Sequence, residues 1–353
     1  MVKFLFILAG FTLGIGLGIT PGIIKPKPIW WRIIFILIMS LVVFFSLHPP
    51  IAGTFKDAAI AGRANPDALV PVHIAPTKGG TFDTQAKLWN VQVNDVQNVT
   101  ETRRTVQLLC KENLYNEAGS FQQDLVVYVK RLDNDITYSV ESVGIKNPMF
   151  TLPFIMGLEE RARIMFFHVP AAWIAFIAYV VSMIYGIRYL RHPLPEYDIL
   201  SSSAAMTGTV FCILATVTGA VWAKFNWGKF WNWDPRQTSI FVLLLVYGAY
   251  FALRSAIENP VKRARLSSVY SVLGCIAALF FIYILPRLYD GLHPGSKDSG
   301  NAGPVLSTAS DSLDTTKQII LSLAYAGFTI LFYWIMSLSA RTRLAFSKQH
   351  SHP

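Results

Sequence analysis

Charge is what this chain has little of. Asp, Glu, Lys and Arg make up 15% of its 353 residues, where a soluble domain carries about a quarter. The deficit is concentrated in runs of about twenty apolar residues, long enough to cross a bilayer as helices. The chain therefore reads as an integral membrane protein. Cysteine is scarce too. Cys110, Cys212 and Cys275 are the only three, and none is paired at CxxC spacing. Two of them fall in apolar runs, where a free thiol behaves as a small hydrophobe. This argues against thiol relay chemistry, a structural zinc site and a disulfide framework. Polar and ionisable groups look scarce at mid-span, which argues against a permease. There is no internal repeat and no low-complexity tail. The formal charge of +10 does not ask for nucleic acid, because most Lys and Arg sit in short connections between apolar runs, as topology signals do.

The expected fold class is an all-α polytopic membrane protein with about seven transmembrane helices and a small β-rich extracytoplasmic insert. Residues 1–47 hold two spans, near residues 4–20 and 31–47. The first reads as a retained span rather than a signal peptide, since a second apolar run begins about ten residues after it. Residues 48–160 change character: polar and apolar residues alternate along Val126–Arg131, and Ile136, Tyr138 and Val140 share one strand face. Asn134-Asp135 reads as the hairpin turn between them, and residues 56–82 read as loop. Five more spans follow near residues 164–187, 199–221, 238–256, 267–286 and 318–339, within a helical core at 161–340 and ahead of a cytoplasmic tail at 341–353. Basic residues recur after spans one, three, five and seven: Lys25, Lys27 and Arg32; Arg188 and Arg191; Arg254, Lys262, Arg263 and Arg265; Arg341, Arg343 and Lys348. The positive-inside rule then puts the insert and the loops after spans four and six outside.

One of those outer loops is unlike the rest. Four of the nine tryptophans, Trp222, Trp227, Trp231 and Trp233, fall between residues 222 and 236 with Lys224, Lys229, Asp234 and Arg236. Trp30, Trp31, Trp173 and Trp334 suit an ordinary interfacial belt; the cluster is too dense for one. The topology brings two histidines to the same face, His168 at the mouth of the third span and His293 just beyond the sixth. His48 is a spare external candidate. His73 lies in the insert, and His192, His350 and His352 fall on the inner side. Indoles suit a flat aromatic ligand, Lys224, Lys229 and Arg236 suit its carboxylates, and two imidazoles suit opposite axial positions on a central iron. Haem has every one of these parts. Asp234 suits the N-cap of the following helix, with Pro235 at its first position, or an orienting contact to Arg236 or a tryptophan N–H.

The residues also resemble a family. Trp227-Gly228-Lys229-Phe230-Trp231-Asn232-Trp233-Asp234-Pro235-Arg236-Gln237-Thr238-Ser239 is similar to the tryptophan-rich WWD signature of haem-handling membrane proteins in cytochrome c assembly, and within them the chain most resembles the CcmC family. Phe166-Phe167-His168-Val169-Pro170 resembles that family's first outer histidine motif. Val217-Thr218-Gly219-Ala220-Val221-Trp222 resembles the approach to the signature, and Leu292-His293-Pro294-Gly295 the second histidine motif. The likeness covers about residues 160–340; the insert and the first span depart from it. It implies a non-catalytic protein of the bacterial inner membrane that presents b-type haem, non-covalently and in transit, on the periplasmic side. His168 and His293 would be the axial ligands, and Trp222, Trp227, Trp231, Trp233 and Asp234 the haem surface. Its implied partners are a CcmE-like haem chaperone, ABC-type CcmA and CcmB subunits, a CcmD-like subunit and membrane lipid, with no nucleic acid. The Asp234-Pro235-Arg236 end leans towards the CcsA and CcmF lyases, which typically also carry histidines within their spans; none stands mid-span here. A CcsA-like haem lyase and a haem permease are the alternative readings.

Overall fold

The computed structural model describes residues 2–94, 105–132, 134–155, 158–293 and 315–349. Among the described residues six helices are long and apolar enough to cross a membrane, and a shorter apolar helix covers Leu5–Ile19. The polytopic helical architecture expected from the apolar runs is therefore present. The chain divides into two compact units: Met1–Val43 with Arg163–Pro353, and Phe44–Ala162. Pro294, Gly295, His350 and His352 lie outside the described residues.

Helices α1 (Val2–Ile19) and α2 (Ile29–Leu47) open the chain. The second unit then runs through β1 (Ile51–Ala52), α3 (Phe55–Ala64), β2 (Leu69–Ile74), β3 (Gly80–Asp83), β4 (Leu88–Asn94), β5 (Thr105–Cys110), α4 (Glu112–Glu117), β6 (Leu125–Arg131), β7 (Thr137–Lys146) and β8 (Leu152–Pro153). Six of the strands form one sheet, in the order β2-β6-β7-β5-β4-β3. Only β5 and β7 pair parallel within it. Asn134 makes the β6–β7 turn, its Oδ1 accepting from the amides of Ile136 and Thr137. Tyr138 and Val140 are buried on β7, whereas Ile136 precedes the strand and is exposed.

The loop expected at 56–82 is not one: it holds most of α3, all of β2 and most of β3. Helix α3 is announced by a capping box, Thr54 and Asp57 each accepting from the other's amide, a signal that needs no apolar periodicity. Pro71 hid β2. It stands on the outermost strand, where a missing N–H is tolerated.

The helical unit resumes with α5 (Met165–Arg191), α6 (Pro195–Trp227), α7 (Pro235–Ala256), α8 (Pro260–Leu279), α9 (Leu285–Leu288) and α10 (Thr315–Gln349). Helices α6, α7 and α8 each start on a proline, whose fixed φ suits the first helical position. A π-helical turn, Phe280–Ile284, joins α8 to α9. Gly10, Gly14 and Gly18 share one face of α1. A Cβ on any of them would collide with α10, at Ser322, at Ala326 and Thr329, or at Tyr333 respectively. This is close small-residue helix packing, with no room for a side chain.

Three expectations change here. Trp31 is no belt residue: it is 1% exposed, donates to Leu17 O at 2.6 Å and packs edge-on against Trp334. The spans also hold more polar groups than their mean hydropathy suggests. Ser182, Ser201, Ser202, Ser203, Ser267, Ser268 and Ser271 are buried. Near the ends of α6 and α7, Asp198 accepts both arms of the Arg254 guanidinium at 2.6 and 2.9 Å. Single hydroxyls spread among apolar neighbours vanish in a window average. Lys27, counted above as a topology charge, is buried and donates to Gly18 O and Thr20 O at 2.6 and 2.7 Å, closing the end of α1. Burial lowers its pKa to about 8.

Candidate functional site

The tryptophan stretch is half helix and half turn. The span expected to stop at 221 continues to Trp227, so Trp222 and Trp227 ride on the last turns of α6. Gly228 ends the helix at φ 81, a left-handed value that costs glycine little, and its amide bonds Lys224 O at 3.0 Å. The turn that follows is clamped by Gln237 from the first turn of α7. Its Oε1 accepts from the Asn232 amide at 2.8 Å and its Nε2 donates to Phe230 O at 3.2 Å. Trp233 takes a left-handed φ of 54 and stands 70% exposed. A bulky residue held there is strained, and such strain gathers at functional sites.

His168 lies in the first turn of α5, facing α6. Its Nδ1 is 3.0 Å from Thr218 Oγ1. That hydroxyl gives its own hydrogen to Leu214 O at 2.7 Å, so it accepts from the ring, and Nδ1 carries the proton. Nε2 is then the bare nitrogen. Gly219 makes the close approach possible: a Cβ there would stand 2.8 Å from His168 Cε1.

His293 is fixed in the same sense by a stronger partner. Its Nδ1 is 2.8 Å from Asp234 Oδ1. The carboxylate also accepts from the Arg236 amide, as N-cap of α7, and from the Leu292 amide, at 2.8 and 2.7 Å. Capping, one of the two roles expected of Asp234, is present; its orienting contact goes to His293 rather than to a tryptophan. Burial alone would raise the Asp234 pKa. The hydrogen bond and charge of His293, with the two amides, outweigh it and hold the group at about 2. The His293 ring sits edge-on to Trp227 at 4.7 Å and tilted against Trp222 at 5.6 Å, and the two indoles meet edge-to-face at 4.9 Å.

His168, His293, Trp222, Trp227, Asp234 and Arg236 thus come to one end of the bundle. Arg236 and His293 are close enough to His168 for their charges to act on it. Trp231 and Trp233 form a neighbouring edge-to-face pair at 5.8 Å, with Phe241 beside Trp231. Lys224 turns away to cap Gly228 O at 2.9 Å, and Lys229 is exposed. Among the described contacts neither lysine meets an imidazole. Three residues given no role by the sequence hold the site in shape: Thr218, Gly219 and Gln237. The first two lie in the stretch leading to Trp222, where a Thr-Gly pair at the end of a span was the available signal. The arrangement sets two imidazoles, each held through Nδ1, beside indole faces and a guanidinium.

Fold and site together define a polytopic membrane protein with paired histidines set against a tryptophan-rich helix end. The family model described as heme exporter protein C matches residues 121–352, and the chain belongs to that family. It is 33% identical over 182 residues to heme exporter protein C of Paracoccus denitrificans, covering 52% of this chain and 73% of that protein. It is also 33% identical over 201 residues to heme exporter protein C of Rhodobacter capsulatus, covering 57% and 80%. A putative cytochrome c biosynthesis ccmC-like mitochondrial protein of Marchantia polymorpha is 39% identical over 117 residues, 33% of this chain and 49% of that protein.

Proposed function

We propose that this chain handles haem in cytochrome c maturation, holding it between His168 and His293 and passing it to a haem chaperone of the CcmE type. The observation that carries the reading is the matched anchoring of the two imidazoles through Nδ1. Nδ1 of each is hydrogen-bonded, to Thr218 and to Asp234, the outer contact that orients ligating histidines and makes Nε2 the nitrogen that would meet the metal. Trp222 and Trp227 supply apolar faces for the ring edge, and Trp231 and Trp233 extend that surface towards solvent. The haem is cargo: the protein binds, orients and releases it, and no bond of the porphyrin is made or broken. The charge pattern of the loops supports a bacterial inner membrane location with the site on the periplasmic side, among the other membrane subunits of the maturation system. The test is the Soret band and pyridine haemochrome of purified protein. His168→Ala and His293→Ala are expected to lose or shift the band. Two variants with wild-type spectra would overturn the ligand assignment.

A further inference from the structure

The start of α6 is tied to three other helices by polar contacts. Ser201 donates to Ser182 O of α5 at 2.8 Å. Asp198 and Ser202 are four residues apart, so they lie one turn apart on the same face of α6. Each of these two is met by an arginine from a different helix. Arg254, in the last turn of α7, holds the Asp198 carboxylate with both arms, at 2.6 and 2.9 Å. Arg343, on α10, donates from Nη1 to Ser202 Oγ at 2.8 Å. The Ser202 hydroxyl gives its own hydrogen to Ile199 O, so its oxygen accepts from the guanidinium. Ser339, one turn earlier on α10, donates to Ser203 Oγ at 3.2 Å and fixes the two helices side by side.

The charges at this end do not balance. Asp198 is a single carboxylate, and Arg254 already takes both of its oxygens. Glu196, the other acid in the first turn of α6, is exposed and bonds neither arginine among the described contacts. The second arm of Arg343 meets only Met206 Sδ, at 3.2 Å, and a thioether is a weak acceptor. A planar guanidinium with an arm to spare matches an anion of carboxylate or phosphate geometry.

The surroundings of that arm select the anion. Met206 begins a stripe along α6 that continues through Val210, Ile213 and Val217, each at least 43% exposed. Their spacing puts them on one face of the helix. Eleven residues of helix cover roughly 16 Å, about half of a hydrocarbon core of about 30 Å, the depth of one leaflet. A free phosphate would need no such track; a phospholipid has a phosphate and a chain to lie along it. Surplus positive charge disfavours a zwitterionic headgroup, whose ammonium it repels. The basic loops mark this end as the inner one, where basic pockets between helices suit anionic headgroups.

We propose that Arg343, backed by Arg254, binds the phosphodiester of a net-anionic phospholipid, with one acyl chain laid along Met206, Val210, Ile213 and Val217. The lipid braces α6 against α10 at the end of α6 opposite Trp222 and Trp227. The contacts that carry this site are independent of the histidines and of the haem reading.

The test uses full-length protein in a neutral detergent, washed of lipid, with phosphatidylglycerol, phosphatidylcholine and inorganic phosphate as probes and native mass spectrometry as the readout. Wild type is expected to retain phosphatidylglycerol about tenfold more tightly than phosphatidylcholine, and phosphate not at all at the same concentration. Arg343→Gln should weaken phosphatidylglycerol about tenfold, the effect of losing a charge-assisted hydrogen bond, and leave phosphatidylcholine as in wild type. Arg343→Lys keeps the charge without the fork and should recover part of the loss. Size-exclusion profiles check the fold of both variants. A photoreactive acyl chain on phosphatidylglycerol maps the track in wild type, so that arm needs no variant; it should label the peptide holding residues 206–217. The proposal is overturned if Arg343→Gln retains phosphatidylglycerol like wild type or loses both lipids alike. It is equally overturned if phosphate binds as tightly as the lipid, or if the label falls on other spans or nowhere.

Discussion

Asp234 Oδ1 and His293 Nδ1 meet at 2.8 Å across 59 residues of sequence. This one contact closes the site. It joins the cap of α7 to the segment after α9 and aims an imidazole at the same time. Removing it disturbs a fold element and a ligand position together, and the two effects separate by substitution. Asp234→Asn keeps a side chain that caps helices well but removes the charge that orients the ring. Loss of such a partner typically costs about 10–100-fold in metal affinity. Haem titration of Asp234→Asn should show a loss of that size, with the helix cap kept and the thermal midpoint lowered only by the lost charge contribution.

The same carboxylate sets a pH dependence. Its pKa in the folded chain, about 2, is below the ordinary value of about 4. A depressed folded pKa gives stability that is fully present above about pH 4 and is lost as pH falls towards 2. Melting curves of wild type and Asp234→Asn should run parallel from pH 7 to about 4 and converge below it. Parallel curves down to pH 2 would mean that the charge contributes nothing.

Gly219 makes room for His168, so Gly219→Ala places a methyl only 2.8 Å from the imidazole Cε1. Alanine favours a helix over glycine by about 1 kcal/mol. The variant gains that helix propensity but must displace the His168 ring, so haem binding should fall about tenfold. Equal haem affinity would show that the ring is not seated as described.

Cys110 is buried in the second unit, and burial pushes its thiol up to about 12. Since the thiolate is the reactive form, an alkylating reagent at pH 8 should leave Cys110 unmodified in folded protein and label it in denaturant. Mass spectrometry of the peptide containing residue 110 reads this directly.

The glycine stripe of α1 gives a test of that helix as a working part of the bundle. Gly14→Leu drives a large side chain into Ala326 and Thr329 of α10. Overpacking of this kind costs about 1–3 kcal/mol, seen as a lower melting temperature. N-terminal sequencing of purified protein should also find α1 attached. A mature chain beginning beyond residue 22 would remove it from the structure.

The spans were legible because about twenty apolar residues in a row admit few other fates. The tryptophan stretch was legible because its density departs from a belt. What stayed hidden was direction. Trp222 and Trp227 look like loop residues beside Gly228 and Asn232, yet the helix carries them, since a helix end is set by its cap and not by where hydropathy falls. Lys224, Lys229 and Arg236 share a sign of charge, but charge alone does not say which way a side chain turns. Thr218 matters only through the ring lying against it, 50 residues away. Contacts of that range belong to the tertiary fold, and one sequence shows its two ends without the join.

The packing of α1 on α10 has a consequence in time. Ser322 on α10 donates to Phe6 O, 316 residues earlier. Ribosomes add about 5–20 residues per second, so the glycine face of the first helix waits roughly 16–63 s for its partner to be made. Throughout that interval the groove faces lipid or whatever helix is nearby. The α1 face is sealed only once α10 is made, and a chain cut short before residue 315 would enter the membrane with α1 still unclaimed.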